Sequence, residues 1–532
     1  MSDAALLPGV RFEVRPPAVA AQPLRTDIAG FMGPTLRGPV GEVVRIDGWR
    51  AYVETFGDLT SECDMPYALR GYFENGGEIA YVVRLAAAPL LHAEGLWTVG
   101  EVAANKWLAS APIAGRFEAQ RFLIRARSPG AWANGLQVKP RYRLRGPDRR
   151  PEVDLEIVPA NGAGEFLLGL PAAGLVEAVN ARSALINLIV QVPPPPPDPA
   201  APAGPLAKVW APVTLAGGTV AVADEAEYAA GAAALAATRE VALMAAPDLE
   251  TMPGGELART RILGHLTALA DGLLDRQVIG APPRTAYDAG QIAAWLSDFR
   301  SARDGDYARS LAVYHPLLAV PDPLGGIRAP VRLISPVGHV AGVISRLDRE
   351  RGAHHSPANA ELYEAVDIAP RQPTETLAVL AAAGVNPLLC ATGNGIVVWG
   401  GRTAARVPDP ARNALEAPGR FLAHRRLIHR LVRAIRRVAE PVVFDNNGPD
   451  LWLTLARAIT SLLLEAWNAG ALKGEVPEEA FQVVCNADNN PPENEESGLV
   501  LCEIALAPAA PMEFITLRIA MTREGWLEAI ET

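Results

Sequence analysis

The sequence predicts a mixed α/β chain of several domains, and three observations carry that expectation. Strand-like apolar runs alternate with helix-like segments over residues 28–85 and again over 240–383, the pattern of a mainly parallel sheet. Between them, residues ~95–190 switch to period-2 alternation broken by turn residues, which reads as a β-rich insertion. The chain has 532 residues, 49% hydrophobic and 20% charged. At ~150 residues per domain that is room for three or four domains, with a large core that needs no staples.

The elements follow in order. Val10, Phe12 and Val14 alternate with Arg11, Glu13 and Arg15 until Pro16 and Pro17 stop the pattern. That is a lone strand with no hairpin partner nearby, so its partner is distant in this chain or belongs to another. Ile28–Gly33 (IAGFMG) reads as a buried strand running into a glycine turn. Trp49–Phe56 and Met65–Glu74 read as helices, the second ended by Asn75-Gly76-Gly77. Ala80–Leu85 is a strand. In the insertion, Arg121–Arg125 and Val153–Val158 alternate, with turns at Ser128–Gly130 and Asn134-Gly135. The insertion ends in Pro193–Pro197, a stiff spacer by composition. Strands are expected at Glu240–Pro247 and Ser310–His315, and helices at 256–272 and 374–383. Further on, helices are expected at 420–439 and 449–468, the latter with an apolar stripe of Leu451, Leu455, Ile459, Leu462 and Ala466. Strands are expected at Pro441–Phe444, Ala480–Cys485, Leu499–Ile504 and Phe514–Met521. The last places Ile515, Leu517, Ile519 and Met521 on one face.

Composition excludes several classes. The formal net charge is −10, from 49 basic and 59 acidic residues, which argues against a nucleic-acid coat. No apolar run is long enough to span a membrane, and the first residues, MSDAALLPG, lack the basic start of a secretory signal. The four cysteines, at 63, 390, 485 and 502, contain no CxxC. They read as thiols of a reducing compartment, with neither a zinc signature nor a disulfide framework. Phosphate-loop, HExxH and GxSxG patterns are absent. Gly393-Asn394-Gly395 lacks the third glycine and helix of a dinucleotide turn. His354-His355 reads as a surface loop. Asp445–Asn447 and Asp488–Asn490 carry oxygen ligands without the spaced glutamate and central glycine of a calcium loop. No catalytic, cofactor-binding or metal residue is therefore expected.

One charge pattern stands out. Arg420, Arg425, Arg426, Arg430, Arg433, Arg436 and Arg437 crowd a helical segment with no acid before Glu440. Arg426, Arg430, Arg433 and Arg437 fall at i, i+4, i+7 and i+11, so they line one stripe. Phe421, Ile428, Leu431, Val432, Ile435 and Val438 form the expected buried face. Like charges at such spacings repel by ~0.2–0.5 kcal/mol per pair. The stripe is read either as a solvated face or as a contact for an acidic surface.

A set of short motifs, in order along the chain, resembles the contractile tail sheath proteins of phage tails, R-type bacteriocins and extracellular contractile injection systems. They begin with Pro8–Val10, Ile28–Gly33, Arg37–Pro39, Phe56-Gly57, Tyr67–Gly77 (YALRGYFENGG) and Ala80–Arg84. Ser128–Asn134 (SPGAWAN), Val176–Asn180, Leu215–Gly218 and Pro247-Asp248 follow. Then come Val340–Gly342, Ser356–Asn359, Gly384–Pro387, Gly395–Arg402 (GIVVWGGR), Val443-Phe444, Leu451-Trp452, Trp467–Leu472 and Asn490–Glu493. The arginine-rich helix departs from the family's in its charge density.

The resemblance implies a tail-sheath fold. Its parts would be an N-terminal strand arm (1–22), a discontinuous α/β core (23–90 and 206–383), a β-rich outer domain ending in the proline linker (91–205), and a C-terminal assembly domain with a strand arm (384–532). It implies a structural subunit, not an enzyme, that stacks as hexameric rings around an inner tube and contracts to drive the tube through an envelope. Its partners would be copies of itself, the inner tube protein, and baseplate and terminal cap proteins, with no nucleic acid and no membrane insertion. Assembly would be cytoplasmic, in a phage tail or a tail-like particle open to release and extracellular action. The arms Val10, Phe12, Val14 and Ile515, Leu517, Ile519 would add as strands to neighbouring subunits, and Arg426, Arg430, Arg433 and Arg437 would face the inner tube. A non-contractile assembly protein and an α/β enzyme with an unrecognised site are the competing readings.

Overall fold

The computed structural model describes residues 25–99, 120–145, 150–160, 164–171, 174–191, 212–302, 308–391, 395–405, 420–442, 446–492, 500–509, 517–521 and 527–531. The expected arm with Val10, Phe12 and Val14, and Ile515, lie outside them. Thr26–Arg425 forms one compact unit, and the residues from Arg426 onward belong to a second, together with those up to Arg25.

The large unit starts with β1 (Ala29–Gly33), β2 (Val43–Ile46), α1 (Trp49–Phe56), α2 (Met65–Glu74) and β3 (Ala80–Arg84). Every residue of β1 is buried, as a strand covered on both faces requires. In α1, Tyr52 and Phe56 are buried one turn apart, and Trp49 stacks on Tyr52 at 5.2 Å. Pro66 sits in the first turn of α2, where its missing N–H does no harm.

The chain then enters the insertion: β4 (Ala87–Leu91), β5 (Glu94–Val99), β6 (Gln120–Ala126), β7 (Gln137–Arg145), β8 (Arg150–Val158), β9 (Glu165–Pro171), α3 (Leu175–Arg182), β10 (Ile186–Gln191), β11 (Val213–Thr214) and β12 (Thr219–Ala221). Two antiparallel sheets, β10-β6-β5 and β11-β7-β8-β9, share a core of their own. Val153, Leu155 and Ile157 are buried in β8 as expected, and Asp154 between the first two is buried as well. The stems β4 and β12 pair with each other, Ala87 opposite Ala221.

Returning, the chain forms α4 (Glu225–Ala237), β13 (Leu243–Ala245), α5 (Gly255–Leu273), β14 (Gln277–Gly280), α6 (Ala289–Ser301), β15 (Leu311–His315), β16 (Leu317–Pro321), β17 (Val331–Ile334), α7 (Val337–Glu350), β18 (Glu361–Leu362), β19 (Asp367–Ala369), α8 (Thr374–Ala383), β20 (Val385–Ala391) and β21 (Gly395–Val398). An Asp224–Glu227 capping box starts α4. The strand expected over 240–247 shrinks to three residues, because Val241 N–H turns back to Thr238.

The halves close one nine-stranded sheet, ordered β18-β21-β20-β15-β14-β13-β1-β3-β2. Pairings from β3 through β1, β13, β14 and β15 to β20 are parallel, and the edges are antiparallel. The strands β20 and β21, expected in the C-terminal domain beyond residue 383, belong to this sheet. Both faces are covered. Leu243 and Ala245 point into a cluster with α2 and α7, while Met244 joins one with α4, α5 and α6. The helices α2 and α7 cross closely enough that a Cβ on Gly338 would lie 2.2 Å from the Ala68 carbonyl oxygen, and one on Gly342 2.4 Å from that of Tyr72.

The second unit receives α9 (Leu422–Ala439), which begins in the first, and holds α10 (Pro449–Asn468), α11 (Pro477–Ala480), β22 (Phe481–Val484), β23 (Glu503–Leu506), β24 (Leu517–Met521) and β25 (Leu527–Glu531). Its core joins Leu427, Leu431, Ile459, Leu463, Leu472 and Ala480. On α10 the buried residues are Trp452, Ile459 and Leu463, so the packed stripe is rotated from the expected one, keeping Ile459. Glu440–Val442 is a 3-10 turn, where a strand was expected from Pro441; a proline N cannot donate to a ladder. The strand expected over 499–504 is displaced to β23. The strand β24 carries Leu517 and Ile519 and pairs antiparallel with β25, which the sequence reading did not foresee. Cys485 and Cys502 meet across the β22–β23 hairpin with sulfurs in bonding contact, correcting the expectation of four distant thiols.

Candidate functional site

The motifs that carried the family resemblance meet in pairs and triples at joints between elements. The first joint ties the insertion to the core. Arg84 ends β3 at 2% exposure, and its guanidinium donates to the carbonyls of Gly38 (2.7 Å) and Pro129 (3.0 Å). Burial pulls its pKa down to about 10. Gly38 N–H donates to Ser128 Oγ at 3.0 Å, and the Arg37 guanidinium lies 5.8 Å from the Trp132 ring centre. The Asn134 amide pairs with Gly218 in both directions at 2.9 Å. Gly218 is irreplaceable there, since a Cβ would meet the Gly130 carbonyl oxygen at 2.3 Å. Four motifs thus form one seam.

A second joint lies at the other side of the sheet. Asn386, fully buried, donates to Val313 O (3.1 Å) and Arg402 O (2.8 Å) and accepts from Arg402 N (2.7 Å). Asn359 N–H donates to Val398 O at 2.7 Å. Asn75 does the same service behind α2, bonding Gly71 O, Tyr363 O and Tyr363 N. In the second unit Asn490 brackets Leu501, donating to its carbonyl (2.9 Å) and accepting from its N–H (2.6 Å). Each buried amide satisfies backbone groups that would otherwise be left unpaired.

The crevice beyond the carboxyl ends of β1 and β13 is the place where a doubly wound sheet reverses its strand order and where such folds commonly bind ligands. Here the chain's own side chains fill it. Asp64 accepts from Arg332 Nε at 2.7 Å and from Arg284. Asp248 Oδ1 accepts from Asp64 N at 2.6 Å. Glu250 lies 3.4 Å from Arg284 Nε, and Tyr67, stacked under Arg332 at 5.0 Å, donates to Asp322 Oδ1. Burial, then the charge of Asp64, pushes the Asp248 carboxyl up to about 7. Burial likewise raises Glu250 to about 7. Three carboxyls facing two guanidiniums make an electrostatic plug.

The arginine helix α9 is packed differently from a fully solvated face. Arg426 and Arg433 are only 2% and 1% exposed, and Arg425 is buried beside them. Arg433 donates to the Arg25 carbonyl at 3.2 Å, and Arg425 to Ser310 Oγ at 3.3 Å. Arg430 is half-buried and Arg437 exposed. Conversely Ile428, Val432, Ile435 and Val438, expected on the buried face, are only half-buried. An arginine stem is apolar enough to pack, and its fork can serve carbonyl oxygens. The continuous solvated stripe is therefore corrected to two accessible positions. No cluster of metal-ligating side chains occurs among the described residues, and no described helix is long and apolar enough to cross a membrane.

No family model matches the sequence, and no curated protein does either. Solved structures do match in fold. The helical sheath of the anti-feeding prophage in its contracted state matches over 98% of this chain and 100% of that one, with TM-score 0.55 and 21% identity. The contracted sheath complex of the PVC extracellular contractile injection system matches over 98% and 99%, with TM-score 0.55 and 17% identity. The sheath tail protein of Desulfitobacterium hafniense matches over 90% and 93%, with TM-score 0.57 and 13% identity. The chain has the tail-sheath fold. The mixed α/β class expected from the sequence is thereby shown. Several of the sheath-like motifs form joints between elements of that fold.

Proposed function

We propose that this chain is the subunit of a contractile sheath, stacking as hexameric rings around an inner tube and shortening to drive that tube through an envelope. The observation that supports it best is the extent of the fold match: sheath proteins of two contractile particles align over 98% of the chain. The chain is read as structural rather than enzymatic. Its motifs hold elements to one another, and its topological crevice is filled by Asp64, Arg284 and Arg332.

On this reading the work comes from packing. The extended sheath is a metastable arrangement and the contracted one buries more complementary surface. A difference of a few kcal/mol per subunit, summed over many rings, suffices for bistable interfaces. The strand arms around Val10–Val14 and Ile515–Ile519 link neighbours by backbone pairing. Baseplate and cap proteins terminate the stack. Of the arginine stripe, the accessibility of Arg430 and Arg437 supports reading these two as contacts for an acidic tube surface.

Co-expression with the inner tube protein, followed by negative-stain microscopy, tests the reading. Striated cylinders that become shorter and wider on guanidinium or acid treatment support it. Dispersed monomers in every condition overturn it. Cylinders that keep one axial repeat throughout favour a non-contractile assembly.

A further inference from the structure

The Cys485–Cys502 pair belongs to neither the joints nor the crevice. Its setting is built by three independent restraints. The hairpin register places Val484 opposite Glu503, so the next rung sets Cys485 opposite Cys502. Their Cα atoms are 4.5 Å apart, the spacing of a non-hydrogen-bonded antiparallel pair and within the span that a disulfide bridges. Beyond them, Asn490, 2% exposed, clamps Leu501 through both backbone groups. The turn that contains it is fixed by Asn489 accepting from Asn486 N at 2.9 Å and donating to Val484 O at 2.8 Å. The hairpin register and the Asn490 clamp hold the two cysteines face to face. The other cysteines are unsuited: Cys63 is buried and Cys390 is exposed, and neither is bonded to another cysteine.

We propose that Cys485 and Cys502 form an intrachain disulfide by exchange with a small-molecule disulfide such as oxidised glutathione, stapling β22 to β23. Cys502 is half-buried while Cys485 is buried, so the Cys502 thiolate attacks first. Its sulfur bonds to one glutathione sulfur, and the S–S bond of glutathione breaks to release the other as thiolate. The Cys485 thiolate then attacks the Cys502 sulfur, the mixed disulfide breaks, and a second glutathione leaves. Two cysteine thiols are oxidised, one glutathione disulfide is reduced to two thiols, and the two cysteine protons end on them. The staple closes a loop of 17 residues' separation, which limits how far the hairpin can open. On the reading of the chain as a sheath subunit, the staple hardens the assembly unit after the particle meets an oxidising medium.

The test counts thiols. The full chain, purified reduced and then exposed to oxidised glutathione, is unfolded in guanidinium with N-ethylmaleimide and weighed intact. Four adducts are expected before exposure and two after, with Cys63 and Cys390 labelled. The Cys485→Ser variant is expected to hold one glutathione on Cys502, whereas Cys502→Ser holds none on Cys485. Four adducts after exposure, or wild-type chain that retains glutathione on Cys485 or Cys502 in peptide mapping, overturns the proposal, and the wild-type count alone decides it if a variant fails to fold. Assembly is read separately. Absence of cylinders with two adducts refutes the sheath reading and leaves the staple standing.

Discussion

Single side chains set the chemistry of the crevice, and Asp248 is the most telling. Its folded-state carboxyl titrates near 7, above the usual carboxylate range, so the folded chain holds a proton that the unfolded chain releases near pH 4. Its contribution to stability is complete below that unfolded value and is lost as pH rises through about 7. Relative to Asp248→Asn, which keeps an acceptor for Asp64 N, the melting temperature of the wild-type chain is therefore expected to fall between pH 5 and pH 8. Scanning calorimetry at several pH values checks this, and an unchanged slope refutes it. Asn386 makes a sharper case. Asn386→Ala removes three hydrogen bonds to backbone groups of Val313 and Arg402, and a loss of about 3 kcal/mol or more is expected in urea unfolding at ~1–3 kcal/mol per group.

At the scale of elements, α2 and α7 depend on absent side chains. Gly338→Ala would put a methyl 2.2 Å from the Ala68 carbonyl, backbone that cannot swing aside. A loss of about 3 kcal/mol or more is expected, read as a lower denaturant midpoint, while Gly272→Ala, with open space around it, serves as the harmless control. Of the two glycines at this crossing, Gly342 was visible in Val340–Gly342 only as a motif letter, and which helix it met was not. The same holds across the fold. Helices with clear 3.6-residue periods, α1, α2, α9 and α10, were legible. So were buried strands such as β1 and β15. What escaped reading were tertiary decisions: β20 and β21 joining the large sheet, β25 returning to pair with β24, and Cys485 meeting Cys502 across a 17-residue separation. The arginines of α9 misled for a physical reason, since charge at one end of a side chain does not report where its three-methylene stem is packed.

For the whole molecule, the expected consequence of the proposed function is additive and charge-dependent. Arg430→Glu combined with Arg437→Glu is expected to leave the chain folded, because neither is fully buried, yet to reduce assembly on inner tubes several-fold and more strongly at low salt. Arg426→Glu and Arg433→Glu place a carboxylate in a closed interior and are expected to unfold the second unit instead. Circular dichroism and cylinder counts from the same preparations separate the two outcomes. Normal assembly of the Arg430/Arg437 pair removes the tube contact from the account.

The insertion leaves the core through β4 and comes back through β12, and these stems are hydrogen-bonded to each other with Ala87 beside Ala221. Its entry and exit occupy one doorway. A module hung in that way can be lengthened, traded or removed with only a two-ended stump to close, so chains of this fold are free to vary it while the parallel sheet keeps its dimensions. For the engineer the same doorway is a cloning site: a foreign domain whose termini lie a few ångströms apart can be seated there without altering the parallel sheet.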